Sequence, residues 1–146
     1  MQDTTDPQFH KWNEYLLNEL TASETYREAA ENVKDELVRD QLQQCEASHR
    51  NRAQKLECGR QELGIASGVK PQIWHSFASL LAEGAFKDKD AVQLLEGEEE
   101  IGLQMYREDN AHLDDHDPLR DLLQSTLLPE QSKTHDALNI LRLSLS

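Results

Sequence analysis

No stretch of this chain alternates β-branched and polar residues long enough to read as a strand, which confines the fold to packed helices. Apolar residues recur instead at helical spacing, in four long segments and one shorter one. The first opens at Pro7 and runs to about Val33, with Phe9, Trp12, Leu16, Leu20 and Ala30 on one face. Asp35 fits the N-cap of the second, Glu36 to Leu63, which Gly64 stops. After a turn over 65–70, Pro71 starts the shorter helix, which reaches Phe86 and carries Ile73, Trp74, Phe77, Leu80 and Leu81. Lys87 to Asp90 forms a break, and the next long helix runs from Ala91 to about Leu113. Pro118 begins the last, to about Leu143. Pro129 should kink or split it, because its ring removes a hydrogen bond and crowds the preceding turn.

Connection lengths then set the topology. Short links make antiparallel hairpins of the first and second long helices and of the third and fourth. The link between the second and third holds about 24 residues and its own helix. At 1.5 Å per residue that helix covers about 24 Å, enough to carry the chain back along the bundle. The second and third long helices therefore run parallel. The expectation is an all-α, ferritin-like four-helix bundle with a long helical crossover, one domain over 1–146.

Bulk properties narrow the function. A formal net charge of -13 and a pI near 4.8 argue against nucleic-acid backbones and anionic membranes as partners. No apolar run reaches the roughly 20 residues that span a bilayer, and MQDTTDPQFH lacks the basic start and apolar stretch of a signal peptide. Cys45 and Cys58 share one helix about 20 Å apart, too far for a mutual disulfide. These features fit a cytoplasmic protein with free thiols.

One residue breaks the apolar pattern where it matters. Glu99 sits on the stripe Val92, Leu95, Glu99, Leu103, Tyr106 and Leu113, where a hydrophobic side chain belongs, with Glu96 one turn earlier beside it. A buried carboxylate costs several kcal/mol unless it is paired, protonated or bound to a metal. Counting residues along the assumed bundle brings Glu24, Glu46, His49, Glu96, Glu99 and His135 to one level, within about a turn. Glu46-x-x-His49 has the spacing of di-metal ligands in bundles, and His49 projects with Val38, Cys45, Leu56 and Leu63.

A second reading uses the same residues without metal. Arg27 and Arg52 fall on or near inward faces and could pair with Glu24, Glu46 or Glu99 in a buried salt-bridge network. Tyr26 and Tyr106 read as packing residues, and Cys45 as core. The segment HLDDHD over 112–117 is rich in ligand types but reads as a solvated loop. Neither a nucleophile triad with supporting local structure nor a Gly-rich phosphate loop occurs, so no catalytic residue is assigned.

LNEL at 17–20, YREAAENVKDELVRDQL at 26–42, the crossover around Trp74 to Gly84, LLEGEEEIGLQMYRE at 94–108 and THDAL at 134–138 together resemble the bacterial ferritin-like proteins of the PA2169/DUF2383 type. The resemblance spans roughly residues 12 to 142 and implies a four-helix ferritin-like fold without implying an established activity. Set against the wider rubrerythrin and ferritin pattern, Glu24, Glu46, His49, Glu96 and Glu99 fall where carboxylate and imidazole ligands are expected. The last helix departs from that pattern, reading Ser132-x-x-His135 in place of Glu-x-x-His.

Two functional expectations follow. One is a di-metal protein binding iron or manganese, with ferroxidase- or peroxidase-like oxidoreductase chemistry. The alternative is a metal-free bundle that binds a partner or a small ligand and holds the same polar residues in a buried network. A homodimer is also expected, because Trp12, Trp74, Phe77 and Phe86 are more aromatic surface than one crossover needs.

Overall fold

The computed structural model describes residues 7–66 and 69–145; the N-terminal residues read above for a signal lie mostly outside that range. Its elements are α1 (Pro7–Asn32), α2 (Glu36–Glu62), α3 (His75–Ala82), α4 (Asp88–His112), α5 (Pro118–Leu122), a π-helical turn (Leu123–Leu127) and α6 (Leu128–Ser144). There is no strand among the described residues. The fold is an all-α four-helix bundle with a long crossover, in which α5, the π turn and α6 form the fourth long helix. Among the described residues no helix is long and apolar enough to cross a membrane.

Local chemistry sets the ends. Asp35 caps α2 by accepting from the backbone N–H groups of Leu37 and Val38 at 2.8 and 3.2 Å, and Gly64, at φ 70°, ends it where a side chain would be strained. Asp117 caps α5 by accepting from Leu119 N–H. Asp88 ties the start of α4 to the α1–α2 turn, accepting from Lys34 and Asp35 N–H at 2.9 and 2.8 Å. The N-termini of α2 and α4 therefore lie at one end of the bundle, and the two helices run parallel as connection lengths require. Tyr15 reaches Asp109 and Tyr26 reaches Glu99, so α1 and α4 are antiparallel.

Three details differ from expectation. The crossover helix covers only His75–Ala82, not Pro71 to Phe86. Trp74 is extended, and its N–H donates to Thr25 Oγ1 at 2.9 Å instead of to a helical carbonyl. An extended backbone advances about 3.3 Å per residue, so the return along the bundle needs fewer helical residues. The second difference is that α4 begins at Asp88, inside the expected break, where Asp90 accepts from Lys87 N–H and completes the first turn. Third, the disturbance expected at Pro129 takes the form of a π turn between α5 and α6 and not of a break in the helix. The turn, just before Pro129 and closed by Leu128 N–H to Leu123 carbonyl, widens the backbone where the proline ring needs room.

The apolar interior falls into two clusters. One, at the α1–α2 turn, gathers Val33, Val38, Leu42, Phe77, Val92, Leu95 and Leu138. The other gathers Trp12, Tyr15, Leu16, Leu56, Ile65, Tyr106, Leu119, Leu123 and Leu127. The aromatic residues that suggested a homodimer are used within the chain. Trp12 and Phe77 are buried, Phe77 meets Phe86 edge-on, and Trp74 packs against Tyr26. Gly59 lets Trp12 lie against α2, for a Cβ there would stand 2.5 Å from the indole.

Candidate functional site: a buried ionic layer

Between the two apolar clusters lies a layer of buried polar side chains: Glu19, His49, Arg52, Glu99, Gln131 and Thr134. They come from α1, α2, α4 and α6, so the layer crosses the bundle. His49 is its centre. Nδ1 stands 2.5 Å from Glu19 Oε1, and Nε2 stands 2.6 Å from Glu99 Oε1. Each ring nitrogen faces its own carboxylate, so both donate and the ring is an imidazolium.

Tyrosines complete the carboxylate shells reciprocally. Tyr26 on α1 donates to Glu99 on α4 at 2.6 Å, and Tyr106 on α4 donates to Glu19 on α1 at 2.5 Å. Glu19 and Tyr26 are seven residues apart, as are Glu99 and Tyr106. In antiparallel helices two such pairs, each about 10 Å long, necessarily match end to end. Tyr26 also stacks on His49, with ring centroids 5.3 Å apart and planes 18° from parallel. Thr134 adds a third donor to Glu99, at 2.8 Å to Oε2.

Arg52 is the second cation, with a fully buried side chain. Its guanidinium donates to Gln131 Oε1, to Ser48 Oγ and Thr134 Oγ1 at 3.1 Å each, and to Glu19 Oε2 at 3.5 Å. Gln131 in turn donates to the Glu99 carbonyl at 2.9 Å. Two carboxylates thus face two cations, and the layer is neutral as a whole.

The protonation states follow from this geometry. Burial is the largest influence on Glu19 and pushes its carboxyl up, but Arg52, His49 and Tyr106 together outweigh it and hold it below the ordinary value. Burial likewise raises Glu99, and His49, Arg52 and Tyr26 bring it below normal. For His49, burial favours the neutral ring and Arg52 adds to that, yet Glu99 and Glu19 prevail and its pKa rises. Burial and the adjoining carboxylates keep Tyr26 and Tyr106 protonated well above the normal phenol range. Cys45, buried nearby, has its thiol pushed up to about 12, mainly by burial and then by Glu99.

Of the six residues expected to share a metal, the structure brings His49 to Glu99 in the core and His135 to Glu96 on the flank, two separate places, and Glu24 and Glu46 to neither. Glu24 is solvent-facing and pairs with Arg27 at 2.6 Å, so Arg27 does not point into the core. Glu46 pairs with Arg50 at 2.7 Å, one turn along α2. Glu96 and His135 meet on the flank between α4 and α6, where His135 Nε2 lies 3.3 Å from Glu96 and 2.8 Å from Glu100. The carboxylates of the 112–117 segment serve the chain itself: Asp114 accepts from His116 N–H, Asp115 pairs with Arg120, and Asp117 caps α5.

Sequence reasoning missed Glu19, Gln131, Thr134 and the hydroxyl roles of both tyrosines. A signal for Glu19 existed. The buried face of α1 runs through Trp12, Tyr15, Leu16, Glu19, Ala22, Ser23 and Tyr26, so Glu19 interrupts an apolar stripe just as Glu99 does. Choosing Leu20 as the face residue rotated the helix by one position.

His49 lies between Glu19 and Glu99 and separates them, so no point is shared by all three as ligands. Among the described residues no group of three or more His, Cys, Asp or Glu side chains is placed to hold a metal ion. On the last helix the inward pair at the Glu-x-x-His spacing is Gln131 and Thr134, one residue before Ser132 and His135, and both accept from Arg52.

The layer is reached from outside by a cleft of about 170 Å³ between α1 and α4, beside Trp74. Glu19, His49 and Gln131 line it at depth, Ala22, Trp74, Met105 and Tyr106 line its walls, and Asn18, Glu98 and Ile101 also border it. Gly102 keeps this passage open beside Gln131, for a Cβ there would lie 2.6 Å from the Gln131 amide nitrogen.

No family model, curated protein or solved structure matches the chain. The architecture is consistent with the ferritin-like superfamily in general.

Proposed function

We propose that this protein is a metal-free, small-ligand-binding bundle in which the buried ionic layer forms the rigid floor of the α1–α4 cleft. The observation that carries the reading is Arg52. A guanidinium already supplies positive charge within the layer, and it is held by Gln131, Thr134, Ser48 and Glu19. Together with His49 it neutralises both carboxylates, which are therefore not waiting for an external cation. A floor tied by hydrogen bonds from four helices is preorganised, and preorganisation lowers the entropic cost of binding. The cleft above it combines apolar walls with a few convergent polar groups, the usual composition of a small-molecule site.

A fragment screen by protein-observed NMR tests this reading. Small ligands should shift the Trp74 indole and the Ile101 and Met105 methyl signals saturably. A diverse library that leaves those signals unmoved overturns the proposal.

The di-iron or di-manganese reading has one observation in its favour. α1, α2 and α4 each bring one metal-capable side chain, Glu19, His49 and Glu99, to a common level. It requires His49 to give up a carboxylate and Arg52 to leave the layer, and metal analysis of the purified protein decides it. Membership of the PA2169/DUF2383 type likewise rests on the sequence resemblance.

A further inference from the structure

The cleft's lining also bears on what it binds, given the ligand-binding reading on which this inference rests. No lysine or arginine lines it. Its charged lining residues are Glu19, Glu98 and His49, two carboxylates against one imidazolium. The deep charges are already matched, because Glu19 and Glu99 are offset by His49 and Arg52. Glu98 is different. It accepts a hydrogen bond from Ser76 at 3.1 Å, and no cationic partner faces it among the described residues. An unneutralised carboxylate therefore borders a cleft walled by Trp74, Met105 and Tyr106.

We propose that the α1–α4 cleft takes a small organic cation, an ammonium group on a compact apolar body, with Glu98 facing the charge and Trp74, Met105 and Tyr106 enclosing the body. Aromatic rings and thioethers suit such a ligand, since ring faces attract cations and sulfur packs adaptably. The volume of about 170 Å³ suits a molecule the size of benzylamine. The chain's net charge of -13 draws cations towards it and repels carboxylates. Ile101, exposed beside the cleft, adds an apolar border for the ligand's body.

Three probes of similar size separate this inference from the reading beneath it: benzylamine, protonated at neutral pH, benzyl alcohol and benzoate. Titrations followed by NMR at Trp74, Met105 and Ile101 should show the amine binding at least about tenfold tighter than the alcohol, with benzoate weakest. Glu98→Gln retains an acceptor for Ser76 and should remove most of the amine's advantage while leaving the alcohol unchanged. In wild type, added salt should weaken the amine alone. If the alcohol matches the amine, the cation inference fails and the ligand cleft stands. If the amine binds but moves signals away from these three residues, it is held by the diffuse acidic surface and the inference fails. If none of the probes moves those signals, the inference fails, and the broader fragment screen decides the cleft reading separately.

Discussion

The bundle handles the same kinds of side chain in two opposite ways. In the interior, Glu19 and Glu99 face His49 and Arg52, all buried and all hydrogen-bonded. On the outside, Glu24 pairs with Arg27 and Glu130 with Lys133, each within a single helix. The interior pairs join different helices, so breaking one strands a charge at a buried position, away from bulk solvent. The exterior pairs give up little when broken, because water replaces the partner. An ion pair fixes how helices assemble only where it is buried and spans two of them. The layer thereby specifies one mutual arrangement of α1, α2, α4 and α6, while the pairs outside decorate individual helices.

The sharpest way to break this contrast is to truncate one interior carboxylate. Glu99→Ala leaves His49, Tyr26 and Thr134 without their acceptor and should cost about 3–5 kcal/mol in urea unfolding. Glu24→Ala should produce no measurable change in the same experiment. Equal effects at the two positions would remove the distinction. Arg52→Leu should follow closely, at about 3 kcal/mol, because Gln131 loses its donor and Glu19 one of its two cationic partners. The double variant Arg52→Leu with Glu19→Leu should recover part of that loss, since the remaining charges, His49 and Glu99, match one another.

pH sharpens the contrast next. The lowered pKa values of Glu19 and Glu99 mean that their contribution is present above their normal value of 4.5 and is lost as pH falls through the folded values. The raised pKa of His49 means that its contribution is present below 6.5 and is lost as pH rises through its folded value. Unfolding free energy measured across pH should therefore be highest between these limits and decline on both sides. In His49→Gln the alkaline decline should flatten, although the protein is less stable throughout.

Two glycines on α4 provide the finest comparison. Gly102→Ala forces the Gln131 amide aside and should destabilise by about 1–2 kcal/mol through the hydrogen bonds it disturbs. At Gly97 a Cβ meets nothing within 4 Å. Gly97→Ala should then stabilise by about 0.5–1 kcal/mol, the gain of alanine over glycine inside a helix. Thermal unfolding of the two variants reads both signs.

Helix positions and the parallel course of α2 and α4 were legible because apolar spacing, Asp35, Gly64 and the connection lengths all point the same way. The length of α3 was not, since the Thr25 hydroxyl that diverts Trp74 N–H lies 49 residues away in sequence. The burial of Glu99 was legible from its place on an apolar stripe. Its partners were only partly so. His49 follows from the orientation of α2, but Glu19 required the rotation of α1 to be right within one residue. Gln131 and Thr134 carry no charge to mark them, and only the position of Arg52 shows why they point inward.

The central claim is that the layer carries its own cations. Its most direct test is the metal-to-protein ratio of protein purified without chelator, measured for iron, manganese and zinc, with the melting temperature recorded before and after chelation. An internally neutralised layer predicts ratios far below one and an unchanged melting temperature. Near-stoichiometric metal, with a fall in melting temperature when it is removed, would contradict the account and restore the carboxylates and His49 as ligands.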